Sequence, residues 1–201
     1  MMKSKLIIVL SILCGSVIAQ DFKVDYKTAN KVWLGIDYTA AKFVGRMDFQ
    51  KPLDIMSLMP DWNNFVYSEP SKYDLNTTFQ TTNIKIELNQ VTQKNAEIDP
   101  FEAVSDNDFS LDESEAKAIA LGYDFSEIDG IAILLVAESY NKRKLEGSYW
   151  LVLIDAKTKE FLFVKRYAST PKGFGLKNYW ARTFYNALNL IQRDVVKIKK
   201  Q

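Results

Sequence analysis

No histidine occurs in the 201 residues, and the single cysteine is Cys14. The first absence excludes Ser-His-Asp and Cys-His catalysis, c-type haem attachment and the usual Cys/His zinc sites. The second excludes an intramolecular disulfide. Glycine and proline are sparse, at 8 and 5 residues, and no repeat or low-complexity block appears. No apolar run after the first twenty residues approaches membrane-spanning length, since "IAILLVA" (131–137) is only strand-sized.

The amino terminus reads as a secretory leader. Lys3 and Lys5 form a positive start, Leu6 to Leu13 an apolar run, and Val17-Ile18-Ala19 a set of small or modest residues before a cut between Ala19 and Gln20. Lipidation at Cys14 is the rival reading. It is disfavoured because Leu13, directly before the cysteine, is bulky where a lipoprotein site takes a small residue. The expectation is one globular domain over residues 20–201, periplasmic or secreted, without a membrane span. Cleavage reduces 26 basic residues to 24 against 25 acidic, a net charge of −1. That mixed balance does not point to nucleic acid. With no disulfide available outside the cytoplasm, apolar burial must supply the stability.

"VWLGIDY" (32–38) alternates with the period of two of a strand. "PLDIMSLMPDWNNFV" (52–66) spaces its apolar residues like a helix, which Pro60 should divide in two. "TTNIKIELNQV" (81–91) alternates again, and the acidic "DPFEAVSDNDF" reads as a loop. In "SLDESEAKAIALGYDF", Ser110 and Glu113 stand in capping-box register and Gly122 just past the helix end. "GIAILLVAES", "SYWLVLIDA" and "EFLFVKRYA" read as three strands, the last two joined by a hairpin-length turn. The continuous apolar run of the first predicts a strand covered on both faces. The order predicts an α+β fold: a mostly antiparallel sheet with helices packed on its faces, ending in a three-stranded meander and a long amphipathic helix.

That last helix, about residues 176–195, places Leu176, Tyr179, Trp180, Thr183, Phe184, Ala187, Leu188, Leu190, Ile191 and Val195 on one broad side. Asn178, Arg182, Asn186, Asn189 and Arg193 fall on the other, with Tyr185 and Val196 as exceptions. "GFGLKN" before it allows another reading, an amide nest at Gly173 and Gly175 holding an anion with Lys172 and Lys177. The phosphate-loop spacing and the third glycine of a dinucleotide fingerprint are both missing, so a turn into a packed helix is expected instead.

Three further segments allow a functional reading. "DNDFSLDESE" puts acidic or hydroxyl residues at the first calcium-loop positions, but Leu111 stands at the glycine position and Lys117 at the glutamate position. No metal or other cofactor is expected. Asp37 sits in an otherwise apolar strand and must be paired, exposed or functional. With Glu138 it forms the least arbitrary carboxylate pair for glycan hydrolysis. Trp62, Phe65 and Tyr67 would form, if exposed, an aromatic patch for a partner, a sugar or another small ligand; packing under the segment is the structural alternative.

Residues 130–195, "DGIAILLVAES", "YWLVLIDAKTKEFLFVKRYA" and "NYWARTFYNALNLI", give strand, strand-turn-strand, helix. This order resembles the periplasmic anticodon-binding-like domains of the TolB amino-terminal, CsgG and LpoB types, whose second meander strand ends in a turn like Asp155-Ala156-Lys157-Thr158-Lys159. The resemblance implies a non-enzymatic envelope module that binds other envelope proteins or copies of itself. It transfers no functional residue, and residues 46–110 have no counterpart in it.

Overall fold

Eleven consecutive buried residues, Ile131–Asn141, form the spine of the sheet. The computed structural model describes residues 24–198; the expected leader and Cys14 lie outside the described residues. In chain order the elements are β1 (Lys31–Asp37), β2 (Lys42–Val44), α1 (Pro52–Ser68), α2 (Leu75–Phe79), β3 (Ile84–Ile86), α3 (Asn89–Ala96), β4 (Val104–Ser105), α4 (Glu113–Leu121), β5 (Ile131–Asn141), β6 (Glu146–Asp155), β7 (Phe161–Ser169) and α5 (Gly175–Ile198).

The sheet overturns the expectation of a mostly antiparallel arrangement. Its path β3-β1-β5-β2-β4 is parallel at every pairing, and antiparallel pairing is confined to β5-β6-β7. The cause is the connections: α1 and α2 lie between β2 and β3, and a strand that returns through helices comes back parallel. β1 and β2 lie end to end along one side of β5, opposite its residues 131–136 and 139–141. Hairpins join only β5 to β6 and β6 to β7. Parallel neighbours and two covered faces explain the unbroken apolar run of β5.

Helices cover both faces. On one, Ile133, Leu135, Ala137, Tyr149 and Leu151 meet α1, α2 and α5 through Trp62, Phe65, Phe79, Trp180 and Phe184. On the other, Leu134, Val136 and Val152 meet α3 and α4 through Val91 and Ala120, with Tyr123 and Phe125 beyond. The buried side of α5 follows the predicted stripe through Trp180, Thr183, Phe184, Ala187, Leu188, Ile191 and Val195, with Ala181 added. Each large side chain there contributes roughly 1.5–3 kcal/mol. Within this layer Tyr149 Oη lies 2.7 Å from Thr183 Oγ1 and donates to Tyr140 Oη at 3.1 Å. Burial lifts both phenols above their ordinary range, so they stay neutral. Gly147 faces this cluster, and a Cβ on it would stand 2.5 Å from Thr183 Oγ1.

Local readings changed in four places. Helix α1 runs unbroken through Pro60, which lies exposed and so keeps its ring off the packed side that carries Met59 and Trp62. The alternation in β1 slips at a bulge beside Gly35, so Ile36 and Tyr38 join Trp33 on one face, away from Val32 and Leu34. Gly35 has φ 107°, and a Cβ there would lie 2.7 Å from Asn63 Oδ1. The segment 81–91 is a three-residue strand followed by α3. The capping box of α4 uses Asp112 and Glu115, two residues later than expected, while Gly122 caps the end as read.

Candidate functional site

The polar side of α5 leaves a ridge in water. Arg182, Tyr185, Asn189 and Gln192 succeed one another at helical spacing and are half-buried. A cleft of about 700 Å³ lies on one flank, between the ridge, Ser169 at the end of β7, and Asn186, Arg193 and Val196. A second, of about 470 Å³, lies on the other flank against Lys72, Asp74 and Thr77. Tyr185, Asn189 and Gln192 line both.

The ridge is stiffened from within. The Arg182 guanidinium stands 5.1 Å from the Tyr185 ring centroid, and that ring meets Tyr73 edge-on at 6.3 Å. Asn189 Nδ2 donates to the Tyr185 carbonyl at 2.9 Å and Asn186 Nδ2 to the Thr170 carbonyl at 3.2 Å, and neither amide oxygen has a partner among the described residues. Gln192 and Arg193 have no side-chain partner among the described residues. The site therefore offers amide acceptors and donors, one aromatic face and two guanidinium groups. It can hold a polar, extended ligand by hydrogen bonds.

Strand β7 adds main-chain groups to this site. It pairs only with β6 among the described strands. Asp155 N donates to the Glu160 carbonyl across the hairpin, with Lys159 left-handed at φ 61° in the turn. This sets the alternation of the antiparallel ladder: Leu153, Leu151 and Tyr149 exchange bonds with Phe163, Lys165 and Tyr167. Val164, Arg166 and Ala168 accordingly turn their main-chain groups toward the open edge. Lys165 and Arg166 give that edge charged side chains, each tied to an acid. Lys165 Nζ lies 2.6 Å from Asp194, and Arg166 Nε lies 2.6 Å from Glu138.

The residues singled out from the sequence have other surroundings. Trp62 and Phe65 are buried: Trp62 stacks on Tyr140 at 5.4 Å and donates Nε1–H to the Lys177 carbonyl, and Phe65 stacks on Tyr73 at 5.0 Å. Tyr67 alone of the three is exposed, with its hydroxyl donating to the Ile86 carbonyl at 3.3 Å. Asp37 is fully buried and accepts from Thr39 N, Thr39 Oγ1 and Tyr123 Oη at 2.5–2.7 Å. Beside it, burial and then the carboxylate itself push the Tyr123 phenol well up. Glu138 is fully buried too, accepting from Leu111 N and Arg166. Neither acid lines the two clefts. Gly173 and Gly175 open α5 with φ 138° and 73°, and Lys177 pairs with Asp61 at 2.7 Å. No group of three or more potential metal-ligating side chains occurs among the described residues.

The ridge went unread in the sequence, although one signal was present. Tyr185 and Val196 were the two apolar residues that broke the polar side of α5, and both line the larger cleft.

No family model matches the chain, and no curated protein matches it. Among solved structures, it is similar to the selenomethionine-labelled C-terminal domain of LpoB from Salmonella enterica. The two share 11% identity over 76% of this chain and 87% of that one, with a TM-score of 0.31. The expected resemblance to LpoB-type domains is met to that extent, which is too small to carry a function across. No helix among the described residues is long and apolar enough to cross a membrane.

Proposed function

We propose that this chain is a binding module without catalytic chemistry of its own, acting in a bacterial envelope after export. In this reading it takes an extended segment of a partner protein along the open edge of β7, against the outward side of α5. The observation that carries the reading is one juxtaposition. A strand edge unpaired among the described residues ends at Ser169, in the wall of a cleft whose other wall is the amide and guanidinium side of a helix. A strand added to such an edge gains main-chain hydrogen bonds, and the neighbouring helix reads its side chains. The leader at residues 1–19 motivates the location.

Lys165 and Arg166 at mid-edge are already paired with Asp194 and Glu138, so the open main chain of the edge, and not their charge, carries the reading. The carboxylate-hydrolase alternative has Asp37 and Glu138 against it, because both are sealed from solvent and held by donors. A sugar ligand would use Tyr185 and the amides without the strand edge.

The test is photo-cross-linking in the producing cells, with a benzophenone amino acid at Asn186 and, as control, at exposed Glu127. A discrete protein adduct at Asn186, absent at Glu127 and lost in Ala168→Pro, is the expected result. Ala168→Pro removes an outward N–H without touching the ridge. An adduct pattern shared by both positions, or one indifferent to Ala168→Pro, would contradict the reading.

A further inference from the structure

Three loops leave the same end of the sheet: residues 45–49 after β2, 142–145 between β5 and β6, and 170–174 between β7 and α5. They are tied together. Lys142 N donates to the Val44 carbonyl at 3.0 Å, and Lys142 Nζ sits 4.0 Å above the Tyr179 ring. Lys172 N donates to the Tyr179 carbonyl, and Phe49 stacks on Trp180 at 5.8 Å. Gly147 pairs with Ser169 at the same end.

Each loop holds one large apolar side chain out in water. Phe174 is 95% exposed, Met47 78% and Leu145 48%. Two of these placements require unusual backbone. Phe174 stands between two glycines of positive φ, and Leu145 itself is left-handed at φ 52°, a conformation that a leucine adopts at an energetic cost. Around them the loops carry Arg46, Lys142, Arg143, Lys144 and Lys172 against one acid, Asp48. Asp106 and Asp108 reach in from a neighbouring segment and pair with Arg46, Arg143 and Lys144, so positive charge remains in excess.

We infer that this end of the molecule docks on an anionic lipid surface, with Met47, Leu145 and Phe174 entering the headgroup layer and the basic side chains meeting lipid phosphates. Apolar tips within a basic surround match a bilayer interface, where apolar insertion and charge attraction add. The tips stand on three separate loops and are individually exposed, so they fit a deformable surface better than a folded protein. The inference does not depend on the partner-strand reading, which uses β7 and the outward side of α5.

Vesicle flotation tests it, using wild type and the M47S/L145S/F174S variant with identical amino termini, so that any contribution of residues 1–19 cancels. Wild type should float with vesicles of phosphatidylglycerol and phosphatidylethanolamine, less with phosphatidylcholine alone, and be released by salt. The triple variant should bind at least about tenfold more weakly with an unchanged circular-dichroism spectrum. Equal binding by the variant would overturn the inference, as would failure of wild type to bind either vesicle. Cross-links from position 174 to protein in the absence of vesicle binding would assign the surface to a protein partner instead.

Discussion

Asn63 completes the main chain of Ile36. Its Oδ1 accepts from Ile36 N at 2.7 Å and its Nδ2 donates to the Ile36 carbonyl at 3.0 Å. Asn95 adds a second bond to the same carbonyl and accepts from Tyr38 N. Strand β3 covers only residues 31–33 of β1, so two asparagines from α1 and α3 stand where further strand would be. Asn63→Ala should destabilise the fold by about 2–4 kcal/mol, because it leaves a buried donor without its acceptor and removes a bond to a buried carbonyl. Chemical denaturation checks this. Asn63→Asp should be at least as harmful, since a carboxylate would face the Ile36 carbonyl.

The buried carboxylate of Glu138 depends on Arg166, whose guanidinium is partly in water and also reaches Glu146 at 3.2 Å. Arg166→Met should cost about 2–4 kcal/mol by leaving Glu138 uncompensated. Combining it with Glu138→Gln should cost less than the sum of the single changes, because the amide still accepts from Leu111 N and no orphan charge remains. An additive double-mutant cycle would show that the pair is not coupled.

Asp194 gives the fold an acid-sensitive component. Hydrogen bonds from Lys165, then Lys197 and Tyr167, pull its carboxyl down to about 2, against partial burial that raises it. A carboxyl that is more acidic when folded stabilises above its unfolded value and loses that contribution as pH falls toward 2. The contribution is about 1 kcal/mol after solvent screening. Wild type should therefore unfold at higher temperature than Asp194→Asn at neutral pH, and the gap should close progressively below about pH 4. A gap independent of pH would contradict the ion pairing.

The long elements could be read from the sequence and the short ones could not. Helix α5 carries a seam from Trp180 to Val195 too wide for anything but a sheet, and β5 to β7 each show the residues of a strand. β2, β3 and β4 have three, three and two residues, too few for alternation to fix their bounds or their partners. The sheet direction depends on their parallel pairings and on that of β1 with β5, which follow from the helical connections and not from periodicity. Trp62 and Phe65 illustrate a second limit. Composition marks them as aromatic, but only the packing of α1 against β5 and α5 decides that they are covered. The ridge at Tyr185 was hidden for the opposite reason: it departs from the helix pattern, and its meaning appears only when Ser169 and the open edge of β7 stand beside it.

Amide hydrogen exchange on the isolated protein, and on its complex with the partner captured through position 186, tests the binding face most directly. The account predicts slowed exchange at the outward amides Val164, Arg166 and Ala168, along with reduced solvent access to the 182–193 side of α5. Protection confined to other surfaces, with those three amides exchanging as they do in the free protein, would contradict it.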